Sequence, residues 1–198
     1  MVQHPPASLR VAAERADARA NRARLIAAAR QLFRERGPDA EMKEIAERAG
    51  LGVGTIYRNF PTKDDLVVAL VMEMVEEVLA VVADAARLDD SVAAVRHLLR
   101  HGFDISERHG DLMMVIMGGK MPAACKEQLA PLDGLIEAII RTGIDRGAFR
   151  PAIDPGVVAA QIHTAFIPWT YQELRRTRTP DQIADAYMSV ILRGIARE

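Results

Sequence analysis

The chain has 198 residues, 49% hydrophobic and 27% charged, enough to bury a sizeable core, and this composition excludes a mainly disordered polymer. No apolar run of about 18 residues is free of charge and no signal-type apolar segment opens the chain, while the single cysteine, Cys125, excludes an intramolecular disulfide. The net charge of −1 hides a split: residues 1–63 carry 12 Lys/Arg against 7 Asp/Glu, a net +5, and residues 64–198 carry 14 against 20, a net −6.

Met1 to about Ala16 has two prolines, mixed charge and few large apolar residues, and reads as a mobile arm. A helical period then begins: Leu25, Ala28, Ala29, Leu32 and Phe33 form one apolar stripe that Gly37-Pro38 stops. Short helices are expected over Met42–Ala49 and Val53–Asn59. After the Phe60-Pro61 break, Thr62 with Asp65 has capping-box spacing for a long helix from Lys63 to about Ala86. Ser91 caps the next helix, expected to end near His109 at Gly110, with a short one over Asp111–Met117. A stretch from Ala123 to Arg146 must kink or restart at Pro131 and stop at Gly147. Asp154-Pro155 opens a helix to about Arg176 that Pro168 should bend. Thr179-Pro180 opens a last one to Arg197. About nine helices and no alternating strand pattern make the fold all-α. The domains expected are an arm over 1–16, a DNA-binding unit over 17–62 and a C-terminal unit over 63–198.

Glu44 to Phe60 has the spacing of a helix-turn-helix. Ala46 is small where two helices cross. Gly50, four residues on, suits a turn that needs positive φ. Ile45, Ala49, Leu51 and Ile56 supply a small core. The second helix offers Gly52, Val53, Thr55, Tyr57, Arg58 and Asn59 outward, and hydroxyls, a guanidinium and an amide suit phosphates and base edges. A solvated helical hairpin is the alternative for the same turn; the basic preceding helix and the charge split favour the DNA-binding one. A single module makes few contacts against a genome of competing sites, so a homodimer reading two half-sites is expected.

Residues 19–66 resemble the N-terminal domain of the TetR (tetracycline repressor) family. Phe33, Gly37, Glu44-Ile45-Ala46, Ala49-Gly50-Leu51, Gly54-Thr55-Ile56-Tyr57, Phe60 and Lys63 stand in the family's order. The resemblance implies a repressor that a small ligand releases from a palindromic double-stranded DNA operator. It also implies that Thr55 and Tyr57 hold phosphates. Gly52, Val53 and Arg58 would face the groove or its rim, and Lys63 would meet a phosphate at a helix N-terminus; Lys43 and Asn59 complete the DNA-facing set. Glu41, Gly52 and Asn59 depart from the family's usual residues. A helical ligand-binding or interaction module with weak or lost DNA binding is therefore the alternative.

The same resemblance places a ligand cavity and the dimer interface in the C-terminal half. Phe103, Met113, Met117, His163, Phe166, Trp169 and Tyr171 are candidate walls for a small apolar or amphipathic ligand, with Gln161 and His163 as polar anchors. Val157, Ala160, Ile167, Ile183, Tyr187 and Ile191 are the interface candidates, with intrachain core as the alternative for each. His97 and His101 share a helix face, yet no third ligand has a recognisable spacing, so no metal or other cofactor is expected. No di-iron, zincin or nucleophile-elbow motif is present, and the chain is not expected to be an enzyme. No membrane partner is expected, and a cytoplasmic location fits.

Overall fold

The computed structural model describes residues 7–117, 123–166 and 168–195, and within them every regular element is a helix. The chain divides into two compact units, Met1–Leu70 and Val71–Glu198. The division falls two turns beyond the expected one at residue 62, because the start of the long helix belongs to the first unit.

The first unit holds α1 (Ala7–Arg36), a 3-10 turn (Gly37–Asp39), α2 (Met42–Arg48), α3 (Val53–Asn59) and the start of α4 (Lys63–Ala86). Residues 7–16, read from sequence as an arm, are the first turns of α1. Their alanines, arginines and glutamate are strong helix formers, and no residue after Pro6 breaks the run. Further along α1, Leu25, Ala29, Leu32 and Phe33 are buried, as are Ile45 and Ala46 of α2 and Ile56 of α3. α2 packs on both α1 and α3. Each fully buried Leu, Ile or Phe contributes about 1.5–3 kcal/mol. On the rim, Arg48 forks onto Glu35 at 2.5 and 2.7 Å, and Arg36 pairs with Glu44, so two ion pairs join α1 to α2.

The second unit holds the rest of α4, then α5 (Ser91–Met117), α6 (Ala123–Leu129), α7 (Leu132–Asp145), α8 (Pro155–Thr164), α9 (Pro168–Arg175) and α10 (Pro180–Ile195). α7 packs on α8, and α5 packs on α7, α9 and α10. Its core joins Leu98, Leu99 and Phe103 of α5, Ile136 and Ile140 of α7, Ile162 of α8, Tyr171 of α9, and Ile183, Met188 and Ile191 of α10.

Three boundaries differ from the sequence reading. α5 runs unbroken through Gly110, which lacks the positive φ of a helix stop, so the helix absorbs the glycine at a cost of about 1 kcal/mol. Asp90, not Ser91, caps α5: its carboxylate accepts the Val92 and Ala93 amides at 2.8 and 3.1 Å, while Ser91 is buried. The helix opened by Asp154-Pro155 breaks after Thr164 and resumes at Pro168. Proline has no N–H to give and clashes with the preceding turn. Elsewhere the capping signals hold: Thr62 and Asp65 exchange bonds at 2.9 and 3.1 Å, and Asp154 accepts the Gly156 and Val157 amides at 2.8 and 3.1 Å.

Candidate nucleic-acid interface

The turn between α2 and α3 is built on Gly50, whose φ of +64 lies where only glycine is free of strain. The Leu51 amide donates to Ala46 O at 2.9 Å and the Gly50 amide to Glu47 O at 3.0 Å, closing α2. Arg24 of α1 donates to Gly50 O at 3.3 Å, and a Cβ added at residue 50 would stand 2.9 Å from its Nη2. Ile56 faces inward with no exposure. Val53 and Tyr57 on the same short helix are 39% and 48% exposed.

The polar side chains of α3 are held along their own helix. Arg58 Nε donates to Gly54 O at 3.1 Å and Nη2 to Thr55 Oγ1 at 3.3 Å. Asn59 Nδ2 donates to Thr55 O at 2.8 Å, so this amide is engaged by backbone. Gly52 is the extended residue that caps α3 without a side chain, leaving the helix end open to close approach. Lys43 is exposed and lies 3.8 Å from Glu47. Phe60, just past α3, is buried under the Arg22 guanidinium, 4.5 Å from its ring centroid. Lys63 stands 5.8 Å over the Phe33 ring. The structure thus brings Gly52, Val53, Thr55, Tyr57, Arg58 and Asn59 onto one short helix of a positively charged unit, with Lys63 opening the next one.

In the second unit the ligand candidates separate. Phe103 is fully buried and meets Phe166 edge-on at 5.0 Å, stacks on Tyr171 at 5.4 Å and touches Tyr187 at 5.3 Å. Gln161, His163 and Trp169 do not join this cluster. All three are exposed, and His163 pairs with Asp133 at 2.8 Å, because α8 turns only Val158, Ala159 and Ile162 inward. The side chains of Met113 and Met117 and the whole of Ile167 lie outside the described residues. The polar groups at the aromatic cluster are Glu107 and Arg175, which carry no local sequence signal because 68 residues separate them. Arg175 Nε and Nη2 donate to the Glu107 carboxylate at 2.8 and 2.9 Å, and Tyr171 Oη donates to it at 2.7 Å. These donors pull the Glu107 pKa down to about 2, the Arg175 bond most of all. Burial and the same carboxylate push the Tyr171 hydroxyl up.

The interface candidates also separate. Val157 is 55% exposed and Ala160 is exposed. Ile183 and Ile191 are core, because α10 turns them onto α5. Tyr187 is half-buried against Phe103, and among the described residues of α10 the large apolar side chain left exposed is Val190, at 73%. His97 and His101 rings stand 4.2 Å apart. Among the described residues no three His, Cys, Asp or Glu side chains form a metal-sized group. Nor is any described helix long and apolar enough to cross a membrane.

Residues 25–70 match the family model for bacterial regulatory proteins of the tetR family. The HTH-type transcriptional repressor KstR2 of Mycobacterium tuberculosis is 24% identical over 190 residues, covering 89% of this chain and 94% of KstR2. The solved structure of that ketosteroid regulator superposes with a TM-score of 0.71 at 22% identity, over 89% of this chain and 95% of that one. The regulator FadR from Bacillus subtilis, solved with stearoyl-CoA, superposes at 0.68 with 17% identity, over 85% of this chain and 96% of FadR. The structural likenesses show the fold, and the helix-turn-helix with its open α3 carries the match. Residues 25–70 thus carry a tetR-family DNA-binding domain, and the chain as a whole is similar to transcriptional regulators of that kind.

Proposed function

We propose that the protein is a repressor that holds a two-fold symmetric DNA operator as a homodimer and is released by a small apolar or amphipathic ligand. The exposed face of α3 carries this reading, since its opposite face is locked by Ile56. Val53 and Gly52 would approach the major groove. Thr55, Tyr57, Lys43 and Lys63 would bind phosphates, and Arg58 and Asn59 would leave their intrahelical bonds to reach the DNA. Val157, Ala160 and Val190 are exposed apolar positions that a second copy would cover. A cytoplasmic location goes with this role.

The ligand would enter at the aromatic cluster around Phe103, with Glu107, Tyr171 and Arg175 as its polar end. KstR2 is named for ketosteroids and FadR was solved with stearoyl-CoA, and both names suggest a long apolar body. α4 runs as one helix from Lys63 to Ala86, through the division between the units, and would carry the signal. A ligand shifts DNA affinity only through different affinities for two states.

The test selects genomic fragments on the wild type and on a Tyr57→Phe/Arg58→Ala variant. Recovery of a palindromic site by the wild type alone supports the operator reading, and equal recovery by both overturns it. The recovered complex is then titrated with long-chain acyl-CoA and with steroid acids, and release by one class identifies the effector. If neither class changes DNA affinity, the ligand assignment falls.

A further inference from the structure

α1 begins at Ala7, whereas the family match begins at residue 25. Residues 7–24 thus add five turns of helix, about 27 Å, to the matched module. They hold five arginines against Glu14 and Asp17. Residues 15–20 and 22–24 are exposed, and Leu25 is the first buried position among the described residues. Residues 15–24 therefore bury little of their own chain.

Its charge is ordered. Arg15, Arg19 and Arg22 are spaced four and three residues apart, which places them within about 60° on one face. Asp17 falls on the opposite side. The same line continues through Ile26 and Phe33, both buried. Two contacts locate that ridge. Arg22 lies 4.5 Å over Phe60, the residue that ends α3, and Lys63 lies 5.8 Å over Phe33. The ridge therefore runs beside the junction of α3 and α4, where Tyr57 and Lys63 stand. Arg15 and Arg19 continue it outward for about 10 Å from Arg22. Neither has a carboxylate partner among the described residues.

We infer that Arg15 and Arg19, on the N-terminal extension of α1, form an additional phosphate-binding strip that holds double-stranded DNA flanking each half-site. This rests on the DNA-binding reading above. Guanidinium groups suit phosphate oxygens and carry no base preference from an exposed ridge. The strip adds affinity and salt dependence to operator and non-operator DNA alike.

The experiment measures full-length protein on its selected operator and on an unrelated duplex across a potassium chloride series. The variants are Arg15→Ala/Arg19→Ala, Arg15→Lys/Arg19→Lys and Tyr57→Phe/Arg58→Ala. Alanine favours helix, so circular dichroism should be unchanged in the first. Each lost phosphate contact should reduce the slope of log affinity against log salt by about one, so about four for a dimer. The alanine variant is expected to weaken on both duplexes with that shallower slope, and the lysine variant to keep the wild-type slope. An unchanged slope, or weakening confined to the operator, overturns the inference while the Tyr57/Arg58 loss leaves the DNA-binding reading standing. A wild type without salt-dependent DNA binding overturns both.

Discussion

Arg175 and Glu107 meet in a two-pronged fork, Nε to Oε2 at 2.8 Å and Nη2 to Oε1 at 2.9 Å, which fastens α9 to α5. Tyr171 adds its hydroxyl to the same carboxylate one turn earlier on α9. The fork closes the polar end of the aromatic cluster, so its state sets how firmly α9 covers Phe103.

This fork predicts a pH-dependent stability. Glu107 titrates near 2 in the folded chain, against an ordinary value of 4.5. A depressed carboxylate stabilises the fold above its unfolded pKa, and that stability is lost as pH falls from about 4.5 to about 2. Glu107→Gln should therefore lower Tm at pH 7, lower it progressively less as pH falls through this window, and change it little only below about pH 2. Thermal melts of both proteins across this range check it. A gap that stays constant with pH would show that the carboxylate charge is not the cause.

Two glycines of α7 should respond with opposite sign. A Cβ at Gly143 would stand 2.2 Å from the Phe149 ring and 3.1 Å from Ser91 Cβ, while one at Gly134 meets nothing within 4 Å. Alanine at Gly134 gains helix propensity and should stabilise by up to about 1 kcal/mol. Alanine at Gly143 gains the same propensity but must displace a fully buried phenylalanine, and should destabilise by about 1–3 kcal/mol. Urea denaturation of the two single variants decides it, and equal shifts would mean that α7 and Phe149 can separate without cost.

The cap of α5 predicts a one-residue distinction. Asp90→Ala removes the acceptor of two amides and should cost about 1 kcal/mol. Asp90→Asn keeps an acceptor oxygen and should recover most of that loss. The comparison is made by denaturant midpoint, and equal losses in the two variants would assign the effect to charge and not to capping.

Local chemistry was legible in the sequence, and distant pairing was not. The helix-turn-helix followed from Ala46, Gly50 and Ile56, because its core is contained within a few turns. Thr62-Asp65, Asp154-Pro155 and Gly147 gave true helix ends, since caps act within one turn. Gly110 misled because a glycine stops a helix only when the chain takes positive φ there, and the packed sides of α5 hold it helical. Ile183 and Val190 show the harder case. Both are apolar positions of one helix, and which of them points outward depends on where α5 lies, which no local pattern encodes. The Glu107–Arg175 fork is invisible for the same reason.

That contrast on α10 yields a last prediction. Val190 is 73% exposed and Ile183 is 1% exposed. If α10 contributes to the dimer, Val190→Arg places a charge in an apolar interface and disfavours association. The isolated fold should be unaffected, since an exposed valine contributes little to the core. Ile183→Ala removes buried atoms and should cost about 2–5 kcal/mol of stability. Sedimentation should therefore show Val190→Arg as a folded monomer with an unchanged melt extrapolated to low concentration. Its operator binding should become weak and steeply concentration-dependent, because one half-site alone supplies half the phosphate contacts. Ile183→Ala should instead melt early while the material that remains folded still sediments with the wild type. A Val190→Arg protein that stays dimeric would move the interface away from this face of α10 and toward Val157 and Ala160 on α8.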